Sequence, residues 1–191
     1  MKTVYCINVW PVEKRGRTKA LVMITIGDAI TVFPIRLVEG KKGMGLSFRG
    51  TRTLANEERT TFVVLNHEER DWLTRVIADI YHPGKARFYK IQREERFTVS
   101  CKAFPIEGRS DWLVGKAEFT INKCFRVKGI RLLQFPNKRR LVYFPERDVR
   151  ENGETVIKRI IDFKDNWEEI VTEKLWRAYD VAAKNRQRER G

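Results

Sequence analysis

The sequence has little of what metal and disulfide sites are built from. Its 191 residues hold three cysteines and two histidines. Cys6, Cys101 and Cys124 lie far apart and form no CxxC pair, so reduced thiols fit better than a disulfide framework, and no zinc-ligand spacing is present. His67 and His82 fall at a helix start and a helix end, with no Ser, Cys or Asp partner in view, which leaves catalysis without its usual parts. Long apolar runs are missing as well. No stretch approaches the roughly 18 residues that span a bilayer, and MKTVYCINVW lacks the apolar core and cleavage site of a signal peptide. The expectation is a cytoplasmic, cofactor-free chain without membrane contact.

Positive charge is what the chain has in excess. Thirty-nine Lys and Arg stand against twenty-five Asp and Glu, a net +14, which points to a polyanionic partner. Residues 1–95 carry 17 basic and 11 acidic side chains (+6), and residues 96–191 carry 22 and 14 (+8). Both halves are basic, so no detachable tail accounts for the total; the end, Lys184 to Arg190, reads as a short mobile polar segment.

The chain also says one thing twice. ITVFPIRL (30–37) matches FRVKGIRL (125–132), and a constant shift of 95 aligns Ile24, Ile26, Ile30, Val32, Ile35, Arg36 and Leu37 with Phe119, Ile121, Phe125, Val127, Ile130, Arg131 and Leu132. The shift runs on to Leu46, Phe48 and Arg52 against Leu141, Tyr143 and Arg147. Upstream, TVYCINVWPVE (3–13) resembles TVSCKAFPIE (98–107) with one residue less. A fixed-period match of this length marks an internal duplication.

Within each copy, apolar residues alternate at period two, the signature of strands with one buried face. After Val32 the phase slips, and it slips identically between Val127 and Ile130. The slip residues are Pro34 and Gly129, types that sheets confine to bulges and edges. A β-bulge there re-aims the strand so that Arg36 and Arg131 change face. Gly27-Asp28 and Asn122-Lys123 suit tight hairpin turns. Further strands are expected around 3–10, 45–49, 97–104 and 140–144. Asn66 with Glu69 makes a capping box before the stripe Trp72, Leu73, Val76, Ile77, Ile80 and Tyr81; Asp165 with Glu168 opens a second helix with the stripe Trp167, Ile170, Val171, Leu175, Ala178 and Tyr179. The fold class is α+β: an antiparallel sheet followed by a helix, twice. The divisions are 1–84 for the first module, 85–96 for a linker with a possible strand at Ala86–Ile91, 97–182 for the second module and 183–191 for the basic tail.

The order strand, hairpin, I-R-L or I-R-V, a Gly-containing turn, then G-L with an apolar strand and a basic residue resembles the SpoVG family (stage V sporulation protein G, or septation protein). It is carried by LVMITIGDAITVFPIRLVEGKKGMGLSFRGTR (21–52) and AEFTINKCFRVKGIRLLQFPNKRRLVYFPER (117–147). The resemblance implies a nucleic-acid-binding module that pairs through its sheet, and hence an intrachain pseudo-dimer, which could pair again with a second chain. The family's basic end of the fourth strand maps to Arg52 and Arg147. The match departs there, because the family's Pro survives only as Pro145 and the next residue is Thr53 or Asp148.

Lys41 and Lys42 in one turn face Lys138, Arg139 and Arg140 in its counterpart. A P-loop is a poor fit, since the loop joins two strands and its counterpart lacks the glycines. A solvated hairpin tip and a pair of cationic fingers on a phosphate backbone are the two readings. With Arg49, Arg52 and Arg147, these are the candidate nucleic-acid-binding residues. Phe48, Tyr143, Phe135 and Phe144 could stack on bases, although Phe48 and Tyr143 fit the core better and Phe135 is expected to be exposed. Trp176 falls off its helix stripe and could cover the other copy or a partner. No catalytic or metal site is assigned: Asp28 and Glu39 align with Lys123 and Gln134, and Glu94-Glu95 could approach Asp162 and Asp165 only through the fold. A non-enzymatic protein that binds DNA or RNA in a regulatory or architectural role leads; a protein-interaction adaptor acting through a sheet edge or helix face, and a divergent metal-dependent nuclease, are the alternatives.

Overall fold

The computed structural model describes residues 2–13, 16–48, 63–64, 66–107, 112–151 and 154–189. The first half forms β1 (Thr3–Pro11), β2 (Thr18–Ile26), β3 (Ile30–Gly40), β4 (Gly43–Ser47), β5 (Val63–Val64), α1 (His67–Ile80) and β6 (Arg87–Arg93). The second forms β7 (Val99–Pro105), β8 (Leu113–Ile121), β9 (Phe125–Gln134), β10 (Arg140–Tyr143), β11 (Glu146–Glu151), β12 (Glu154–Arg159), β13 (Ile161–Phe163) and α2 (Trp167–Arg188). One antiparallel sheet runs β13-β3-β2-β1-β6 with β4 also on β3; the other runs β10-β9-β8-β7 with β5 on β9; β11 and β12 make a separate ribbon. The class is α+β, two tandem modules of sheet and helix.

The duplication is visible in the register. Val22 pairs with Ile35 and Ile24 with Val32, which leaves Met23 opposite both Phe33 and Pro34. Ala117 pairs with Ile130 and Phe119 with Val127, which leaves Glu118 opposite Lys128 and Gly129. Two residues against one is a β-bulge, at the same place in both copies. Because of it Ile35, Leu37, Ile130 and Leu132 all reach the core, fully buried, and the arginine between each pair faces away. Gly129 takes φ +82°, a conformation that penalises a side chain. Gly27 and Asp28, and Asn122 and Lys123, all have positive φ, with Ala29 N donating to Ile26 O and Cys124 N to Ile121 O. These are mirror-image two-residue turns, whose twist matches the flanking strands.

Two details of the repeat change. Leu46 pairs with Leu37 as Val142 pairs with Leu132, so the shift from β4 to β10 is 96 and not the expected 95, and Leu46 corresponds to Val142 rather than to Leu141. Tyr5 pairs with Ile26 as Val99 pairs with Ile121, and Pro11 with Ala20 as Pro105 with Gly115. The shift between β1 and β7 is therefore 94 throughout, and the return to 95 comes after β7, where one residue more separates Pro105 from Gly115 than Pro11 from Ala20. Burial of Tyr5, Ile7 and Val9 sets this register, because a slip of one residue would turn them outward.

The copies also exchange strands. β13 of the second copy pairs on β3, with Ile161 opposite Val32, and β5 of the first pairs on β9, with Val63 opposite Val127. Val32 and Val127 are repeat equivalents, so each copy's third strand is extended by a short strand of the other. One contiguous core results, running from Tyr5 and Ile24 to Phe119, Phe125, Val171 and Leu175.

The helices lie on the core side. Asn66 caps α1, its Oδ1 accepting from Glu69 N at 2.9 Å, and Leu73 and Ile77 are buried. α2 differs from expectation at both ends. Asp165 sits outside it at φ +49°, and Asn166 occupies the cap position without a side-chain cap bond. At the far end the helix continues through Arg188, so residues 183–188 are helical; Arg186 Nη1 donates to Pro105 O at 2.8 Å, and the cations of the last turn meet the negative end of the helix dipole. The linker holds β6, hydrogen-bonded along β1 from Thr3–Arg93 to Val9–Arg87. Among the described residues, no helix is long and apolar enough to cross a membrane.

Candidate functional site

Lys41 and Lys42 form the two-residue turn between β3 and β4, closed by the Gly40–Gly43 pair, and both are exposed. The equivalent turn spans residues 135–139. Phe135 N donates to Arg139 O, Lys138 N to Phe135 O and Arg139 N to Asn137 Oδ1, and Lys138 takes φ +62°. Lys138 and Arg139 are exposed at its tip. The tips are thus cationic ends of equivalent hairpins.

Arg140 is placed differently. It begins β10, forms a two-pronged pair with Asp180 of α2 at 2.8 and 3.0 Å, and lies 4.6 Å over the Trp176 ring. The carboxylate pushes its pKa upward. Arg147, in β11, stacks 5.1 Å over Phe33 of the first copy. Arg49 and Arg52 lie outside the described residues.

The aromatic residues sort by strand alternation. Val142 pairs with Leu132 and is buried, so Tyr143 faces outward beneath the Arg131 guanidinium at 4.4 Å, not into the core as expected. Phe144, beyond the strand end, is the core residue, 4.9 Å from Phe163. Phe48 is half-buried against the core. Phe135 is half-buried, not exposed, 4.7 Å from Trp112. Trp176 is buried in its own module between Arg140 and Tyr179.

Sequence reasoning missed the outer face of the second sheet. Successive pairs place Phe104 beside Lys116, Lys116 beside Arg131 and Arg131 beside Tyr143, one row across β7, β8, β9 and β10. Lys102 and Glu118 form the next pair, Thr120 and Arg126 a further one, and Lys128 lies at the bulge. The available signal was the arginine of I-R-L, flanked by two core residues and therefore bound to point outward. The equivalent row of the first sheet is Trp10, Leu21, Arg36 and Ser47.

A polar cluster joins the copies. The Tyr5 hydroxyl donates to Glu95, Asn122 Nδ2 donates to both at 3.3 and 3.2 Å, and Asn122 Oδ1 accepts from Thr98 N at 2.8 Å. Burial first, then the Glu95 carboxylate, raises the Tyr5 pKa. Nearby, Arg93 pairs with Glu69 and lies 4.3 Å over Trp72. Glu94 pairs with Lys2 at 3.0 Å, and His82 Nδ1 is 2.9 Å from Pro83 O. Among the described residues, no three His, Cys, Asp or Glu side chains gather as metal ligands.

A sheet whose hairpin, bulge and following helix recur in this order defines the class. The SpoVG family model matches residues 1–83. A candidate septation protein SpoVG of Lachnospira eligens is 29% identical over 79 residues, 41% of this chain and 90% of that protein. Those of Agathobacter rectalis and Staphylococcus carnosus are 32% and 31% identical over 75 residues, 39% of this chain and 86% and 70% of theirs. No solved structure matches. The chain belongs to the SpoVG family through its first copy; the second is tied to the first by the internal repeat and the shared register.

Proposed function

We propose that the chain binds nucleic acid, DNA or RNA, through the phosphate backbone and acts as a regulatory or architectural protein. The observation that carries this is the surplus of +14, present in both copies and displayed by Lys41, Lys42, Lys138 and Arg139 at equivalent hairpin tips. Cations on phosphates release condensed counterions, and affinity then falls steeply with salt. The binding unit is the single chain, whose copies stand in for two subunits. Its relatives are named for septation, and the proposal extends that process to this chain.

The test is fluorescence anisotropy with labelled single-stranded DNA, duplex DNA and RNA across a salt series. Binding that weakens linearly on logarithmic axes supports the proposal and ranks the three ligands. No binding at about 50 mM salt up to tens of micromolar sinks it, because even non-specific binders register there.

One observation favours an adaptor instead. Phe88 and Tyr89 are 62% and 51% exposed on edge strand β6, beside a groove of about 580 Å³ between that strand and α1, lined by Trp72, Ile80, Tyr81 and His82. A peptide strand added there would bind with little salt dependence.

A further inference from the structure

The outer face of the second sheet has a composition that folding does not require. Five cations, Lys102, Lys116, Arg126, Lys128 and Arg131, share it with Glu118, which pairs with Arg126 at 3.7 Å, and at its edge Glu146 accepts a hydrogen bond from the Tyr143 hydroxyl. Across its middle runs the row Phe104, Lys116, Arg131, Tyr143. Phe104 is 52% exposed, and the exposed Arg131 guanidinium lies 4.4 Å over the Tyr143 ring. Three strand spacings of about 4.8 Å put the two rings about 14 Å apart, with the cations between them. α2 leaves this face open because it packs on the other one: a Cβ on Gly115, which lies on the core face, would come within 3.1 Å of the Tyr179 ring.

Resting on the nucleic-acid proposal above, we infer that this face is a platform for a single-stranded segment, whose bases stack on Phe104 and on the Arg131–Tyr143 pair and whose phosphates meet Lys102, Lys116 and Lys128. The aromatic rings decide between strand types. A duplex keeps its bases stacked on one another and offers a flat aromatic surface nothing; unpaired bases of any sequence present a π-face. Charge complementarity selects a polyanion, and flat rings at both ends of the cationic row select an unpaired one. The first sheet does not repeat the arrangement, since Leu21 stands where Lys116 does and Trp10 packs edge-on against Phe33 at 5.9 Å.

Three probes separate the contributions: a labelled oligothymidylate of about 15 nucleotides, an abasic strand of the same length, and a duplex. The full chain should prefer the oligothymidylate. Phe104→Ala should weaken that complex about fivefold or more, the lower end for loss of one stacked base, and leave the abasic strand unaffected. The pair Lys116→Gln and Arg131→Gln should weaken both single strands and flatten the salt dependence. These side chains are exposed, and thermal unfolding of each variant confirms that the fold is kept. If the chain binds but Phe104→Ala and the double variant match it on every probe, the platform is overturned while nucleic-acid binding by the hairpin tips stands. If the chain binds none of the probes, both fall.

Discussion

Asn122 Nδ2 donates to the Tyr5 hydroxyl at 3.3 Å, and this bond crosses from the second copy's turn to the first copy's opening strand. With Glu95 and the Thr98 amide it forms a closed polar set at the seam between the copies.

Asn122→Ala leaves the Thr98 amide without its acceptor and the Tyr5–Glu95 pair without its donor. The expected loss is about 1–3 kcal/mol, the usual cost of stranded buried polar groups, read by urea denaturation. Tyr5 adds a pH signature. Its folded pKa is raised, so its contribution is complete below the ordinary value of 10.0 and is lost as pH rises above it. Tyr5→Phe should remove part of the alkaline loss of stability.

Gly27 occupies the position of Asn122 in the first copy and tolerates no such side chain. It has φ +65°, and a Cβ would sit 2.3 Å from the Phe97 ring. Gly27→Ala should therefore destabilise by about 1–3 kcal/mol, as overpacking does. Phe97→Ala in the same chain should return part of that loss, a non-additivity that a double-mutant cycle on thermal unfolding would detect.

The hairpin cations should divide by what holds them. Exchanging Lys41, Lys42, Lys138 and Arg139 for Gln should lower the salt slope of binding by about 0.9 for each phosphate no longer neutralised, with stability within about 0.5 kcal/mol of the parent. Arg140→Gln should do the reverse. It gives up an exposed ion pair with Asp180, worth about 1 kcal/mol at most, and the cover over Trp176.

Two thiols should be slow. Burial pushes Cys101 and Cys124 from 9.0 up to about 11. At pH 8 they are almost wholly protonated, and the thiolate is the nucleophile. Iodoacetamide followed by mass spectrometry should modify both slowly in the folded chain and quickly in denaturant. The raised values also mean that the contribution of these thiols to stability is complete below pH 9.0 and is lost as pH rises through about 11.

Much of the fold was legible because its signals are local. Alternation located the strands, the phase slip at Pro34 and Gly129 located the bulges, and Asn66 located the start of α1. The exchanged strands were not legible, because β5 and β13 span two and three residues and owe their state to a neighbouring edge rather than to a pattern. Tyr143 and Phe144 were transposed because alternation near a strand end depends on register with β9. The cations of the outer face were hidden for a related reason: Lys102, Lys116, Lys128 and Arg131 are scattered singly along the chain, and only strand pairing gathers them.

The exchange of β5 and β13 has a consequence for what each copy is free to become. A homodimer shows one surface twice, and any change appears in both places. Here the two sheets are held together within one polypeptide, so dilution does not part them and substitution in one does not touch the other. One outer face carries a cationic row, while the other carries Arg36 among Trp10, Leu21, Met23 and Phe33. The molecule has a front and a back, and whatever it meets can be met in one orientation.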